Sequence, residues 1–396
     1  MADDAALRGD FGLYVHWPFC EAKCPYCDFN SHVAAAVDHA AWRTALLSDL
    51  RAQAERVSGR LLRSIFFGGG TPSRMHPDTV AALIDEARRL WPCINDLEIT
   101  LEANPTSIEA GRFRAFADAG VNRVSMGMQA LDDADLRRLG RTHDVAQALA
   151  AWEVARSHFP RASFDVIYAR QDQTPDAWRA ELRRILDLGP THVSLYQLTV
   201  EPGTVFARRH AVGKLPGLPD DDRQADMYLE TKDILASAGL PAYEISNHAA
   251  PGEECRHNLL YWRAGEWLGV GPGAHGRLGG GATRRATVAH RDPDRWRAAV
   301  ATGGGGLASD DRLDPWDHAE EYLCTAFRLA EGLDLDRAEA LGLRIPRPTD
   351  LIEEGLLIEE GRRLKPTARG MALSDSIVRY ALYRSARVSR SQMVSS

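Results

Sequence analysis

The chain is poor in cysteine and has no long apolar stretch, and each absence excludes a class of protein. Six cysteines in 396 residues, three of them between Cys20 and Cys27, are too few and too bunched for a disulfide framework. They point instead to a reducing compartment, the cytoplasm by default, and to a metal. No run of 18 apolar residues occurs, so nothing reads as a membrane span. Positive charge is not in excess: the formal net charge is -7, which argues against a nucleic-acid surface. Met1–Asp10 is short and acidic, unlike a leader peptide. Solenoid-type repeats are missing, and the glycine-rich stretch Phe66–Ser73 is neither a GxGxxG fingerprint nor a lysine-bearing P-loop. What remains is a soluble globular balance, 44% hydrophobic and 26% charged, long enough for one large domain and one or two small ones.

The first half alternates short apolar runs with amphipathic stretches. Strands are expected at Gly12–Trp17, Leu62–Phe67, Leu97–Glu102, Arg123–Met128, Ser163–Tyr168 and His192–Leu198. Helices are expected at His39–Val57, Pro77–Trp91, Ser107–Ala119, Ala146–His158 and Pro175–Leu188. Six strand–helix units imply parallel pairing with right-handed crossovers, too few for a closed eight-unit barrel. Thr71, Glu102, Gln129 and Asp165 fall at or just after strand ends, the rim that carries chemistry in such folds. Beyond Gly203 a helix is expected at Asp220–Ser237 and a strand at Ala242–Ser246. Four glycines at 303–306 look like a linker. Helical patterns follow at Ala319–Leu329 and Asp334–Leu341. "LIEEGLLIEEGRRLKPTARGMAL" then reads as helix, turn, short hairpin and helix, a winged-helix-like module without a basic recognition helix. The arginine- and serine-rich tail 384–396 is expected to be disordered.

"HWPFCEAKCPYCDFN" spaces its cysteines by three and then two residues, so one tight loop can point three thiolates at a soft metal centre. Three ligands are one short of a closed tetrahedral site. Structural zinc, completed by His16, His32 or a distant cysteine, is the competing reading. It suits a small finger better than a loop following the first strand of a β/α unit.

"CEAKCPYC" resembles the radical-SAM superfamily. The resemblance implies a [4Fe-4S] cluster on Cys20, Cys24 and Cys27, with an open iron that chelates S-adenosylmethionine and an electron that splits its sulfonium. It also implies cofactor-binding roles. Gly69, Gly70 and Thr71 of "FFGGGTPS" would let backbone approach the methionine moiety. Glu102 would meet its ammonium group or the ribose, Gln129 the ribose or substrate, and Asp165 the adenosine. Arg141 of "LGRTH" would pair a carboxylate, and Tyr26 would pack on the adenine or cluster, plain packing being the alternative.

The order "LYVHWPFCEAKCPYCDFN", "FFGGGTPS", "LEANP", "VSMGMQ", "LGRTH", "FDVIYA", "VSLYQLTVEPGT", "CRHNLLYW" resembles the oxygen-independent coproporphyrinogen III oxidase-like group over about residues 11–290. The expected fold is therefore α/β. A partial (β/α)6 radical-SAM barrel spans 1–205, a mixed α/β extension 206–306, and a winged-helix-like domain 307–383, with the tail 384–396. Two features favour the group's heme-chaperone branch over the oxidase itself. Phe29 stands where the oxidase has a fourth cysteine, and only 13 residues precede Tyr14, the group's position beside the cofactor. "HNLLYW" resembles the heme-binding signature of that branch. It makes His257 the candidate axial ligand, with Tyr261 and Trp262 offering flat apolar area. The plain alternative is a core motif in which His257 and Asn258 hydrogen-bond a loop. Cys255 is a further ligand candidate.

The implied partners are heme, a flavodoxin or ferredoxin as electron donor, and respiratory hemoproteins at the membrane surface as recipients. A homodimer is allowed and nucleic acid is not expected. The rival is a coproporphyrinogen dehydrogenase, with Arg256 and Arg263 as candidates to grip substrate carboxylates; a radical-SAM enzyme on an unrelated substrate is a third. "ARQDQT" (169–174) departs from the group's glycine- and proline-containing turn and is expected to alter the loop beside the cofactor.

Overall fold

The computed structural model describes residues 10–387. Six apolar runs form strands β1 (Phe11–Trp17), β2 (Leu62–Gly69), β3 (Cys93–Ala103), β4 (Arg123–Gln129), β5 (Arg161–Tyr168) and β6 (His192–Gln197). They pair in that order, all parallel. All but one residue of β1 is buried, as expected for a parallel strand covered on both faces. The intervening helices start where capping side chains satisfy their first N–H groups. Asp38 caps His39–Ala54, and Asp144 and Gln147 form a reciprocal capping box on Val145–His158. Thr174 caps Pro175–Asp187, whose proline occupies the first turn, where no N–H is needed. This is the expected six-unit radical-SAM core. The stretch expected as one helix at Ser107–Ala119 is two short ones, Ser107–Ala110 and Phe113–Asp118, parted at Gly111 and Arg112. Arg112 there turns its guanidinium onto the Ser73 and Met75 carbonyls.

The sheet continues past six strands. After the helix Asp221–Ser237, β7 (Asn247–Ala249) adds antiparallel to β6. At the other edge β8 (Glu266–Val270) lies parallel to β1. There follow, antiparallel, β9 (His275–Leu278), β10 (Arg285–Ala289) and β11 (Leu307–Arg312). The order is β11-β10-β9-β8-β1-β2-β3-β4-β5-β6-β7. The segment 206–306, continued by β11, thus supplies both margins of one sheet rather than a layer of its own.

Two local expectations are corrected. Ala242–Ser246 is not a strand: the buried Glu244 carboxylate takes the Ser246 N–H and the Asn247 amide, leaving only isolated bridges at Ala242 and Glu244. Nor are the glycines 303–306 a linker. They carry the chain from helix Pro293–Ala301 into β11, so the expected break at 306/307 falls inside the sheet. The buried Asp49 carboxylate pins this turn, accepting the Gly306 N–H at 2.8 Å and the Gly271 N–H at 3.1 Å. A Cβ on Gly306 would lie 1.9 Å from the Trp296 indole nitrogen, and that indole stacks at 5.4 Å on Trp42.

A second core gathers around Tyr322, Leu323, Phe327, Leu357 and Leu364. It is built by the helix Pro315–Ala326, a three-stranded sheet containing the hairpin Leu357–Glu360/Arg363–Pro366, and the helix Ser374–Arg384. This is the expected winged-helix-like unit. A bidentate ion pair, Arg263 to Glu331 at 2.7 Å on both arms, ties it to the end of helix Arg256–Trp262. Of the expected disordered tail, Arg384 ends a helix and residues 386–387 pair with 343–344, while 388–396 lie outside the described residues.

Candidate functional site

The loop leaving β1 is bound to the loop leaving β2 by backbone bonds, Gly70 N–H to the Trp17 carbonyl at 2.7 Å and Thr71 N–H to that of Phe19 at 3.0 Å. Gly70 is needed for this approach, since a Cβ there would lie 2.9 Å from the Phe19 carbonyl oxygen. His16, at the end of β1, engages the far side of the loop through Nε2 and the Asn30 carbonyl at 2.9 Å. So braced, Cys20, Cys24 and Cys27 all line one cavity of about 430 Å³ at the C-terminal end of the parallel strands. Thr71 donates its hydroxyl to the Cys20 sulfur at 3.4 Å, and Arg141 donates Nη1 to that of Cys24 at 3.3 Å. Burial pushes the Cys20 and Cys27 thiols up from their ordinary value, a cost that a bound cation would remove.

The same cavity is lined by Tyr26, Gly69, Gly70, Thr71, Glu102, Gln129, Arg141 and Asp165, every expected cofactor residue but one. Glu102 accepts the Gly69 N–H at 3.2 Å. Burial, then the neighbouring Asp165, lifts its carboxyl to about 8. Asp165 sits in the middle of β5 rather than at its end, accepts from Ser125 at 3.2 Å, and is lifted by burial to about 6. Two carboxyls held above their ordinary range are a receptacle for a cation or for hydroxyl donors. Gln129 closes β4 at φ 68°, a left-handed conformation unusual for a side-chain-bearing residue. Arg141 is held inside by Asn104 at 2.6 Å and the Gly127 carbonyl at 3.1 Å.

The exception is Tyr14, which lines an adjoining cavity and hydrogen-bonds His16 at 3.0 Å. Sequence reasoning missed Asn104, Ser125 and the end of β6 with its following residues, Tyr196 to Thr199, which complete the wall. "LEANP" and "VSLYQLTVEPGT" were the available signals.

Three further sets of candidate residues are engaged internally in this structure. His257 is 1% exposed, and both ring nitrogens are engaged, Nδ1 with Ser64 and Nε2 with Tyr261, each at 2.8 Å. In this arrangement its ring packs into the core, and Asn258 donates to Tyr243 at 3.2 Å. Cys255 is likewise buried, its thiol against Glu98. The Arg256 and Arg263 guanidiniums are paired with Asp96 and Glu331. The 169–174 loop, moreover, lies away from the cavity lining, braced by Arg170 between Asp135 and Glu181.

Among the described residues no three His, Cys, Asp or Glu side chains converge on a single metal ion, so the zinc reading has no ready site. Three thiols lining one cavity are a donor set of the kind that iron–sulfur clusters take.

The family model for the radical SAM superfamily matches residues 14–195, and that for the HemN C-terminal domain matches 313–373. Fold, thiol loop and lined cavity thus define a radical-SAM protein with a HemN-type C-terminal domain. Relatives refine this. The heme chaperone HemW of Mycobacterium tuberculosis is 37% identical over 376 residues, 94% of this chain and 95% of that protein. HemW of Escherichia coli is 39% identical over 323 residues, 81% and 82% of the two chains. The mouse mitochondrial protein "radical S-adenosyl methionine domain-containing protein 1" is 38% identical over 380 residues, 92% and 86%. The chain belongs to the HemW family of radical-SAM proteins. The solved coproporphyrinogen III oxidase HemN of E. coli shares the fold, with a TM-score of 0.78 over 97% and 94% of the two chains at 22% identity.

Proposed function

We propose that this chain is a heme chaperone that holds a [4Fe-4S] cluster on Cys20, Cys24 and Cys27 and S-adenosylmethionine in the cavity beside them. The observation that carries the reading is kinship to named heme chaperones across nearly the whole length, against likeness of fold alone to the oxidase. A bound cluster would supply one-electron chemistry toward a sulfonium. Each thiolate would meet a different iron, with Arg141 donating to the Cys24 sulfur. The Gly69–Thr71 turn would lie along the methionine moiety, Glu102 would receive its ammonium group, and Asp165 with Gln129 would meet the ribose and adenine. Tyr26 would close the cavity against water.

The cargo would be heme, passed in the cytoplasm to respiratory hemoproteins, with a flavodoxin or ferredoxin as electron donor. Among the described residues no helix is long and apolar enough to cross a membrane, so recipients in a membrane would be met at its surface. The rival decarboxylase reading loses its carboxylate grips, because Arg256 and Arg263 are already paired.

The test is coproporphyrinogen III turnover by anaerobically reconstituted protein with S-adenosylmethionine and a strong reductant, run beside a genuine oxidase and followed by heme transfer to an apo-cytochrome. No protoporphyrinogen together with measurable transfer is the expected result. Protoporphyrinogen formation would make the chain a heme-biosynthetic decarboxylase.

A further inference from the structure

Proteins that pass electrons to one another meet briefly, and opposite charges steer the encounter more than buried area does. Such a meeting needs charge that is exposed, unpaired and close to the group receiving the electron. On a chain of net charge -7, the segment between β6 and helix Asp221–Ser237 supplies it. We propose that the basic face of Arg208, Arg209 and Lys214, seated on the cysteine loop, is the docking surface for an acidic one-electron carrier protein. The assignment rests on the proposed cluster and deepens that reading by giving the electron its entry.

Thr204 starts the helix Val205–Ala211, accepting the Ala207 N–H at 3.0 Å. Phe206 turns inward, its buried ring joining an apolar cluster with Leu136, Leu139, Leu198 and Leu215. Its N–H donates to the Pro25 carbonyl at 2.9 Å, and its ring meets that of Tyr26 at 6.3 Å. Pro25 and Tyr26 stand between Cys24 and Cys27, so this helix rests directly on the cysteine loop. Its outer side and the turn after it present Arg208, Arg209, His210 and Lys214, all exposed. Among the described residues none of these side chains forms a hydrogen bond or ion pair. Cations in a last turn suit the helix dipole, but that is worth only about 0.3–1 kcal/mol and leaves them free to meet a partner. Val212, 66% exposed, puts an apolar contact among them. Arg138 and Arg170, by contrast, are neutralised by Asp172, Asp135 and Glu181. The acidic run Asp220–Asp222 lies past Gly217, at the start of the next helix.

The segment is tied down at its far end as well, by the loop "ARQDQT". The Asp172 N–H donates to the Gly217 carbonyl, and the Gln171 side-chain amide to that of Pro216, each at 2.7 Å. A Cβ on Gly217 would lie 2.2 Å from the Asp172 carboxylate, so glycine there lets the two backbones touch. With Phe206 fixing one end and this loop the other, the cations stand on a braced platform. A surface ordered beforehand costs less to bind. One electron leaves the reduced carrier and enters at the cysteine loop. The carrier is oxidised by one electron, and no bond in the chain changes.

The test uses the full-length, cluster-loaded chain and a reduced acidic flavodoxin, with association read by calorimetry and electron entry by stopped-flow bleaching of the iron–sulfur absorbance. Wild-type association should weaken steeply between about 50 and 500 mM salt. Arg208→Glu with Arg209→Glu should slow reduction by flavodoxin at least about tenfold at low salt and weaken association in step. The extent of reduction by excess dithionite and the urea midpoint should stay as in wild type. Arg344→Glu with Arg369→Glu makes the same change of net charge on exposed side chains of the C-terminal unit, and should leave the flavodoxin rate nearly unchanged. Equal slowing by both pairs, or no slowing by the first, would overturn the docking surface while the chaperone reading stands. So would anionic vesicles that bind wild type and not the first pair at an unchanged flavodoxin rate, which would assign the patch to a lipid surface. A chain that takes up no cluster would bring down the proposed function itself.

Discussion

Replacing Glu102 by glutamine should stabilise the cofactor-free chain while weakening S-adenosylmethionine binding. The carboxyl is held at about 8 by burial first and Asp165 second. A raised carboxyl pKa means that folding favours the protonated form. Its contribution is therefore most favourable below the unfolded value near 4.5 and is lost as pH rises to about 8. The wild-type penalty grows by about 1.4 kcal/mol per pH unit across that window and levels off near 5 kcal/mol above it. The carboxyl faces a cavity open to water, so about 2–5 kcal/mol is the realistic span. Glutamine carries no such penalty, and its oxygen can still accept the Gly69 N–H. Urea unfolding of anaerobic apoprotein at pH 5, 7 and 9 measures the difference. The variant and wild type should nearly coincide at pH 5, with the variant's midpoint ahead by a widening margin at pH 7 and pH 9. S-adenosylmethionine affinity of the reconstituted variant, which lacks a charge for the ammonium group, should fall by about tenfold or more. A stability gap that does not change with pH would refute the argument, because it would mean that Glu102 is not raised in the folded state.

Cys24→Ala should abolish the roughly 400 nm iron–sulfur absorbance after anaerobic reconstitution, because each thiolate is an obligatory ligand in this arrangement; full iron and sulfide loading would refute the ligand set. Glu98→Gln should cost about 3 kcal/mol, the low end for one buried ion-pair partner because Arg161 keeps Glu253. Burial alone would raise the Glu98 carboxyl, but Arg123, Arg161 and two backbone N–H groups hold it below its ordinary value. Its stabilisation is thus present above the unfolded value near 4.5 and lost as pH falls through the folded one, so the variant's deficit in urea midpoint should shrink in acid. Gly306→Ala should destabilise by about 1–3 kcal/mol through overpacking on Trp296, whereas Gly304→Ala, with nothing within 4 Å, should be neutral or slightly stabilising by thermal unfolding.

The parallel core and the cysteine cavity were legible because their signals are local and redundant. Each strand is a buried run followed by a helix, and Thr71, Glu102 and Gln129 lie at or just after strand ends. The pairing of β8 with β1 was not legible, because that contact joins residues some 250 positions apart through backbone bonds that leave no periodicity in either segment. The glycines 303–306 misled for a related reason. Composition alone reads a glycine run as freedom, while here Gly306 is pinned by Asp49 through its N–H and is glycine because Trp296 leaves no room for a side chain. "HNLLYW" shows the same limit at the functional site. A histidine and two aromatics in one turn suggest a ligand with a platform, yet the helix directs His257 inward to Ser64 and Tyr261, and only Tyr261 reaches the adjoining cavity.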